Sequence, residues 1–437
     1  MKVNFKIGLL ASVFAAMGTQ ASAEETWNLQ KCMDYAMEKS IDMQKGAVTI
    51  LEGQVDTKLA KAQWQPSLNF STSHTLSNSP WPEEGLDKTS YNGNYNLNAS
   101  WTVFNGFKRK YNIKKQLLQE RIDSVDVEET EENVKVLVVT YYIQVLYAVE
   151  NLKTKQSSLE VAEAEYDRSK NLYEAGSISK SDFAQIEAQY AKEKYQLVVA
   201  ENDLTEAKLN LKLLLRLDDA DMDVYTPEIS EEAVLVALPT KVEAYNVALQ
   251  TRPDVRAAEL EETMSDLNIK VAKSGYYPSI SLQASVGTGH NSAADLSTGE
   301  QMKQNFGESV GVTLSYSILD NRNRKSEKEK AQLEKTMSSL SLEKVKDDLK
   351  KLIETSHNDA VAAQQSYVAA KANEEAMNTS YELTSEKYSL GAKTPFEMLS
   401  EKNSLLTAQQ ETIQAKYTAL LNIQLLNIYQ GLAVVIE

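Results

Sequence analysis

The chain has 437 residues, of which 62 are acidic and 46 basic, for a net charge of −16; it carries one cysteine and three histidines. That balance argues against nucleic acid as a partner, and a lone cysteine forms no disulfide within the chain. Beyond the N-terminal leader there is no apolar run of about 18 residues, which argues against a helical membrane protein.

Taken in order, Lys2 and Lys6, an apolar core from Ile7 to Met17 and Ala21-Ser22-Ala23 read as an export signal over residues 1–23. Cys32 lies too far past that cleavage point for a lipid anchor, and reads as a small buried residue. An amphipathic helix from Trp27 to Gln63, interrupted near Ser40-Ile41-Asp42, ends at Pro66. Next, Leu68, Phe70, Thr72, His74 and Leu76 alternate with Asn69, Ser71, Ser73 and Thr75. After a turn-rich loop, Tyr91, Gly93, Tyr95, Leu97, Ala99, Trp101 and Val103 alternate with Asn92, Asn94, Asn96, Asn98, Ser100 and Thr102. Strands avoid asparagine, and four on one face point to a wet wall rather than a second sheet. At roughly 3.4 Å per residue, Tyr91 to Phe104 reaches about 45 Å, enough to cross a bilayer at a tilt. A half-buried strand of a soluble sheet is the competing reading. Asn105-Gly106 ends the strand and offers a helix cap.

From Phe107 to Tyr173 there is no proline or glycine, which predicts a helical rod of roughly 100 Å. A break at Gly176 leads to a second helix from Asp182 to Leu217. Its Phe183, Tyr190, Leu197, Leu204 and Leu211 recur every seventh residue, with Ile186, Ala200, Ala207 and Leu214 three places on, as in a coiled-coil seam. An acidic, proline-bearing linker, 218–239, then divides the chain. The second half repeats the first: a helix over Thr240–Lys273 interrupted at Arg252-Pro253-Asp254, Tyr276-Tyr277-Pro278 answering Trp64-Gln65-Pro66, and two alternating segments around a polar loop from Thr288 to Asn305. Asp320-Asn321-Arg322 answers Asn105-Gly106-Phe107, and Tyr388-Ser389-Leu390-Gly391 answers Tyr173-Glu174-Ala175-Gly176. The repeats are thus 24–217, with a hairpin over 67–104, and 240–437, with a hairpin over 279–319.

Four strands cannot close a barrel, and lipid tolerates no open edge, so other copies must complete the wall. Two copies give eight strands and a filled interior; three give twelve and a lumen. An exported chain with such strands points to a bacterial outer membrane, with outer-membrane lipid around it, since only helices and closed barrels span lipid.

The signal, the duplicated helix, hairpin, long helix and helix plan, the paired Tyr-x-x-Gly tips and the strand-to-helix turns together resemble the TolC-type outer-membrane efflux protein family. The resemblance covers essentially the whole mature chain. It implies a mixed membrane α/β fold: a homotrimer whose 12-stranded transmembrane β-barrel is continuous with a 12-helix periplasmic α-barrel, with the linker at an equatorial region. It also implies a passive exit duct for small molecules, docked to a periplasmic adaptor (membrane fusion) protein and an inner-membrane pump that supplies the energy. A duct for type I protein secretion, or a non-porous coiled-coil scaffold, are the alternatives.

Carried onto this chain, the resemblance places a periplasmic gate at Ser181, Asp182, Tyr388 and Lys393, with Tyr388 bonding Asp182 and Lys393 pairing nearby. It places a selectivity ring at Glu397 and Glu401, although Ser400 stands where the family's second acid is expected, and adaptor-docking tips at Tyr173, Gly176, Tyr388 and Gly391. Read without it, Asp182 is an ordinary helix-start acid, the glycines are helix stops, and Glu397, Glu401 and Lys402 form a solvated face. The scattered His74, His290 and His357 make no metal site, no phosphate loop is present, and no catalytic residue or cofactor is expected; the other carboxylates, set among lysines, read as solvated faces.

Overall fold

The computed structural model describes residues 26–81, 88–217 and 222–436; the expected export signal and the first residues of the linker lie outside the described residues. In the first half α1 (Leu29–Lys39) and α2 (Ile41–Ala62) precede β1 (Ser67–Asn78) and β2 (Thr89–Asn105), followed by α3 (Lys108–Glu174) and α4 (Lys180–Leu215). A single turn, α5 (Glu231–Val234), lies in the connecting segment. The second half runs α6 (Lys241–Thr251), α7 (Pro253–Ser274), β3 (Ser279–Asn291), α8 (Thr298–Gln304), β4 (Gly307–Ser315), α9 (Asn323–Ser389) and α10 (Pro395–Tyr429). The breaks between paired short helices have local causes. Ser40 caps α2 with its side chain, and Pro253 occupies the first turn of α7, where its missing N–H costs nothing.

The strands form one antiparallel sheet in the order β1-β2-β3-β4. Its register puts Phe70, Leu97 and Val286 in line on one face, and Asn98, Ser285 and Ser309 in line on the other. Three expectations need correction. A bulge between Thr102 and Phe104 carries Phe104 onto the face of Ile280, so the alternation does not continue through Val103. β4 stops at Ser315, and Tyr316 and Ile318 lie beyond it. The expected polar loop is partly β3 and partly α8; the side chains of Asn305, which caps the C-terminal end of α8, and of Gln301 within it bond Gly289 O and Asn291 N at 2.7 Å each. These bonds satisfy the edge of β3 above the point where β4 begins.

Each hairpin passes into its long helix through two successive left-handed residues, Gly106 and Phe107 (φ 66° and 67°) or Asn321 and Arg322 (φ 53° and 68°). Asn105 Oδ1 then accepts the Arg109 N–H at 3.2 Å, and Asp320 Oδ2 that of Arg324 at 2.9 Å. The arginines face aromatic rings, Arg109 at 4.4 Å from Trp64 and Arg324 at 5.5 Å from Tyr276.

The main core lies where α1 and residues 222–236 meet the middle of α3, the C-terminal end of α4 and the C-terminal half of α10, around Val138, Tyr142, Leu211, Leu215, Val234 and Leu420. Leu211 and Leu215 are wholly buried there, each contributing about 2 kcal/mol by removal from water. The segment is tied down by polar bonds as well: Tyr142 OH donates to Tyr225 O at 2.6 Å, and Gln364 Nε2 to Val234 O at 3.0 Å. Cys32 is buried in this core, and burial pushes its thiol up to about 12, which leaves it unreactive.

Candidate functional site

The two faces of the sheet differ as two solvents require. One carries Leu68, Phe70, Leu97, Leu282, Val310 and Val312, with Val310 and Val312 84% and 69% exposed. Rings gather at both ends of that face. Trp64, Trp101, Phe104, Phe107 and Tyr277 lie toward the helices, and His74, Tyr91, Tyr95 and His290 at the far end, where Tyr91 OH meets His74 Nδ1 at 2.7 Å. Ten residues separate Tyr91 from Trp101, about 33 Å along the strand and roughly 25 Å once tilted, the height of an outer-membrane apolar band. The opposite face holds only amides, hydroxyls and glycines among the described strand residues.

At the other end of the molecule α3 turns into α4 and α9 into α10. Gly176 and Gly391 take the left-handed conformation (φ 75° and 74°), and each break is closed by a pair of bonds: Gly176 N to Tyr173 O and Ser177 N to Leu172 O, Gly391 N to Tyr388 O and Ala392 N to Lys387 O. The helix restarts at Ser179 and Thr394, whose side chains accept from Asp182 N and Glu397 N. Asp182 is thus the third residue of α4, its carboxylate accepting from Ser179 Oγ at 2.8 Å, while Ser181 is exposed.

Tyr388 packs against Ile186, Met398 and Leu399. Burial raises its phenol above the ordinary value; the charges of Arg168, Glu165 and Asp182 and the Ser169 hydroxyl act on it as well. The structure therefore brings Tyr388 and Asp182 into one neighbourhood, without a hydrogen bond between them among the described residues. Lys393 does not turn to Asp182. Within the subunit it pairs with Glu397, which also accepts from Thr394 N and Oγ at 3.0 Å each. These partners hold the Glu397 carboxyl at about 2, the Lys393 hydrogen bond being the largest cause. Glu401 accepts from Ser380 Oγ at 2.9 Å and has no cationic partner among the described residues. Tyr173 stacks on Phe183 at 5.1 Å.

Residues that the pattern reading assigned to solvent join the helices above the tips. Lys402 of α10, its side chain 4% exposed, pairs with Glu165 of α3 at 3.1 Å, and Tyr381 of α9 donates to the same carboxylate at 3.3 Å. Burial and Glu165 together push the Tyr381 phenol up to about 12. Higher up, Glu150 receives Lys416 at 3.3 Å and Tyr417 OH at 2.5 Å. Glu193 of α4 is 1% exposed and accepts from Gln189 at 2.5 Å. The solvated-face reading fails for Lys402 and Glu193 because each sits on an apolar stripe: Lys402 between Met398 and Leu405, Glu193 between Ile186 and Ala200 at seven-residue steps. A charged residue at a seam position was the signal available.

The edges complete the geometry. In the upper row α2 packs on α3, α3 on α7 and α7 on α9; β1 and β4 end the sheet. The terminal elements expose apolar stripes, Val48, Val55 and Leu59 on α2, and Leu333, Met337 and Leu340 on α9, from 54% to 67% exposed. Among the described residues no helix is long and apolar enough to cross a membrane.

A family model described as outer membrane efflux protein matches residues 33–215 and 244–431. The chain is 24% identical to the outer membrane protein TolC of Escherichia coli (strain K12) over 429 residues, 95% of this chain and 83% of that one. It is 23% identical to nodulation protein T of Rhizobium leguminosarum bv. trifolii, over 93% and 86% of the two chains. Among solved structures, CusC superposes with a TM-score of 0.79 at 17% identity, over 93% of this chain and 92% of that one. The open state of the Neisseria gonorrhoeae MtrE outer membrane channel does so with 0.72 at 19%, over 92% and 88%.

Proposed function

The chain belongs to the outer membrane efflux protein family, and from that premise we propose that three copies close head to tail into one duct that carries small molecules out of the periplasm. It is an outer-membrane efflux channel. The observation that supports the ring is the placement of the open edges: β1 and α2 begin each row and β4 and α9 end it, so the end of one copy offers what the beginning of the next lacks. Three copies supply twelve strands, with the amide face inward and the ring-bordered apolar face toward lipid. Residues 24–217 and 240–437 act as the two repeats of each copy, joined by the linker.

The helix tips form the gate, with Tyr388 and Asp182 holding the α9/α10 pair against the α3/α4 pair and Lys393 steadying the turn beside them. Of the two acids near the entrance, Glu401 dominates a cation-preferring ring, since Lys393 offsets Glu397. Glycine-closed tips at Gly176 and Gly391, beside Tyr173 and Tyr388, meet a periplasmic adaptor, and an inner-membrane pump supplies the energy. The channel itself needs no cofactor and catalyses no reaction.

The test is the mass of the detergent-extracted full chain, measured by light scattering with detergent subtracted. A mass of three copies, migrating faster on gels before boiling, is expected. A monomer that leaves the outer membrane on osmotic shock would contradict the ring.

A further inference from the structure

The amide face carries more asparagine than a wet wall needs. Four inward positions of β2 in succession are asparagine, a residue that costs a strand stability. The positions opposite two of them lack side chains: Asn94 faces Gly289, and Asn96 faces Gly287, itself opposite Gly307. A Cβ on Gly287 would stand 2.3 Å from Asn96 Oδ1, and one on Gly289 2.6 Å from Asn94 Oδ1, so only glycine lets the amides lie across the β3 backbone. The result is a hollow of about 450 Å³ in the wall, with the glycines as floor, Asn92, Asn94 and Asn96 along one side and Asn305 at the rim.

Its chemistry is narrow. Among the described residues the side chains of Asn92, Asn94 and Asn96 hydrogen-bond to no other protein group, so their donors and acceptors are free. No charged side chain stands on this face of the strands, and the apolar residues of the sheet are on the other. An ion finds no counter-charge here and an apolar molecule no contact surface. A side-chain amide presents a donor and an acceptor side by side, the pattern that neighbouring hydroxyls answer. We propose that this hollow is a binding site for a neutral, hydroxyl-rich ligand, an oligosaccharide segment, near the outer mouth of the duct. This rests on the channel reading above, which turns the amide face into the lumen and presents one hollow per copy.

The test is single-channel recording of the full chain in a planar bilayer with maltohexaose added on the outer side. Brief current interruptions are expected, more frequent as sugar is added. Asn94→Ala with Asn96→Ala should shorten them at least tenfold while open-channel conductance in potassium chloride stays within about a third. Polyethylene glycol of equal size, which has acceptors but almost no donors, should produce none. Where the alanine pair does not assemble, as judged by gel migration before boiling, Asn94→Val with Asn96→Val uses a residue that strands favour and that offers no hydrogen bond, and carries the same expectation. Open channels without interruptions at tens of millimolar sugar overturn the site and leave the channel standing; so do interruptions equal for glycol, variant and parent, which size alone explains. Absence of any channel overturns the channel reading and the site with it.

Discussion

Lys402 and Glu165 tie α10 to α3 across the joint between the two helical hairpins, at 3.1 Å, with the lysine side chain 4% and the glutamate 22% exposed. The asymmetry of burial decides what each substitution does. Glu165→Ala strands a buried cation, whereas Lys402→Met leaves a carboxylate that water reaches. The first should destabilise by on the order of 3 kcal/mol and the second by about 1 kcal/mol, with the double apolar replacement recovering part of the loss. Urea denaturation of the three variants checks this; equal small effects would make the pair a surface contact.

Glu397 is expected to give the start of α10 an acid-sensitive cap. Its carboxyl sits at about 2 in the folded chain, below the ordinary value of roughly 4.3, so the cap contributes above that ordinary value and is lost as pH falls toward 2. Hydrogen exchange should show the first turn of α10 equally protected from pH 7 to 5, and progressively less so below about 4.5. Glu397→Ala should abolish that dependence.

The two strand-to-helix turns should respond in opposite directions. A Cβ on Gly106 would lie 2.2 Å from Ser274 O, so Gly106→Ala should cost on the order of 2 to 3 kcal/mol. Asn321 holds the matching left-handed position with a side chain, and Asn321→Gly should be neutral or gain up to about 0.5 kcal/mol. Both are read from denaturation midpoints of the assembled protein.

Charges on the open edge should break the ring without unfolding the subunit. Val55 and Leu59 are 60% and 63% exposed on α2 in a single copy, and Val55→Asp with Leu59→Asp buries charge only when copies meet. Mass measurement in detergent should find monomers in place of trimers, with helical circular dichroism retained.

The sequence made the sheet legible because its two faces meet different solvents, so alternation along β1, β2 and β3 was written into residue type. The bulge at Val103 was not, since Val103 and Phe104 are both apolar and either suits that face. α8 was hidden by its polar composition, which reads as loop until Ser297 and Glu300 are seen as a capping box. At the tips, Gly176 and Gly391 were plain as helix stops, while α4 starts at Lys180, capped by Ser179, two residues before the expected start at Asp182. Lys402, Glu165 and Glu193 were missed because charge outweighed position in the reading. The seam positions of Lys402 and Glu193 marked them for burial, whereas the partner that Lys402 meets on another helix, Glu165, is not written in any local pattern.

The central claim is a duct that closes at its helix tips, and single-channel conductance of the full chain in a planar bilayer tests it most directly. Small, cation-preferring openings are predicted, growing several-fold when Asp182→Ala and Tyr388→Phe are combined, and losing cation preference with Glu401→Gln. A water-soluble particle without conductance, or channels indifferent to the tip substitutions, would contradict it.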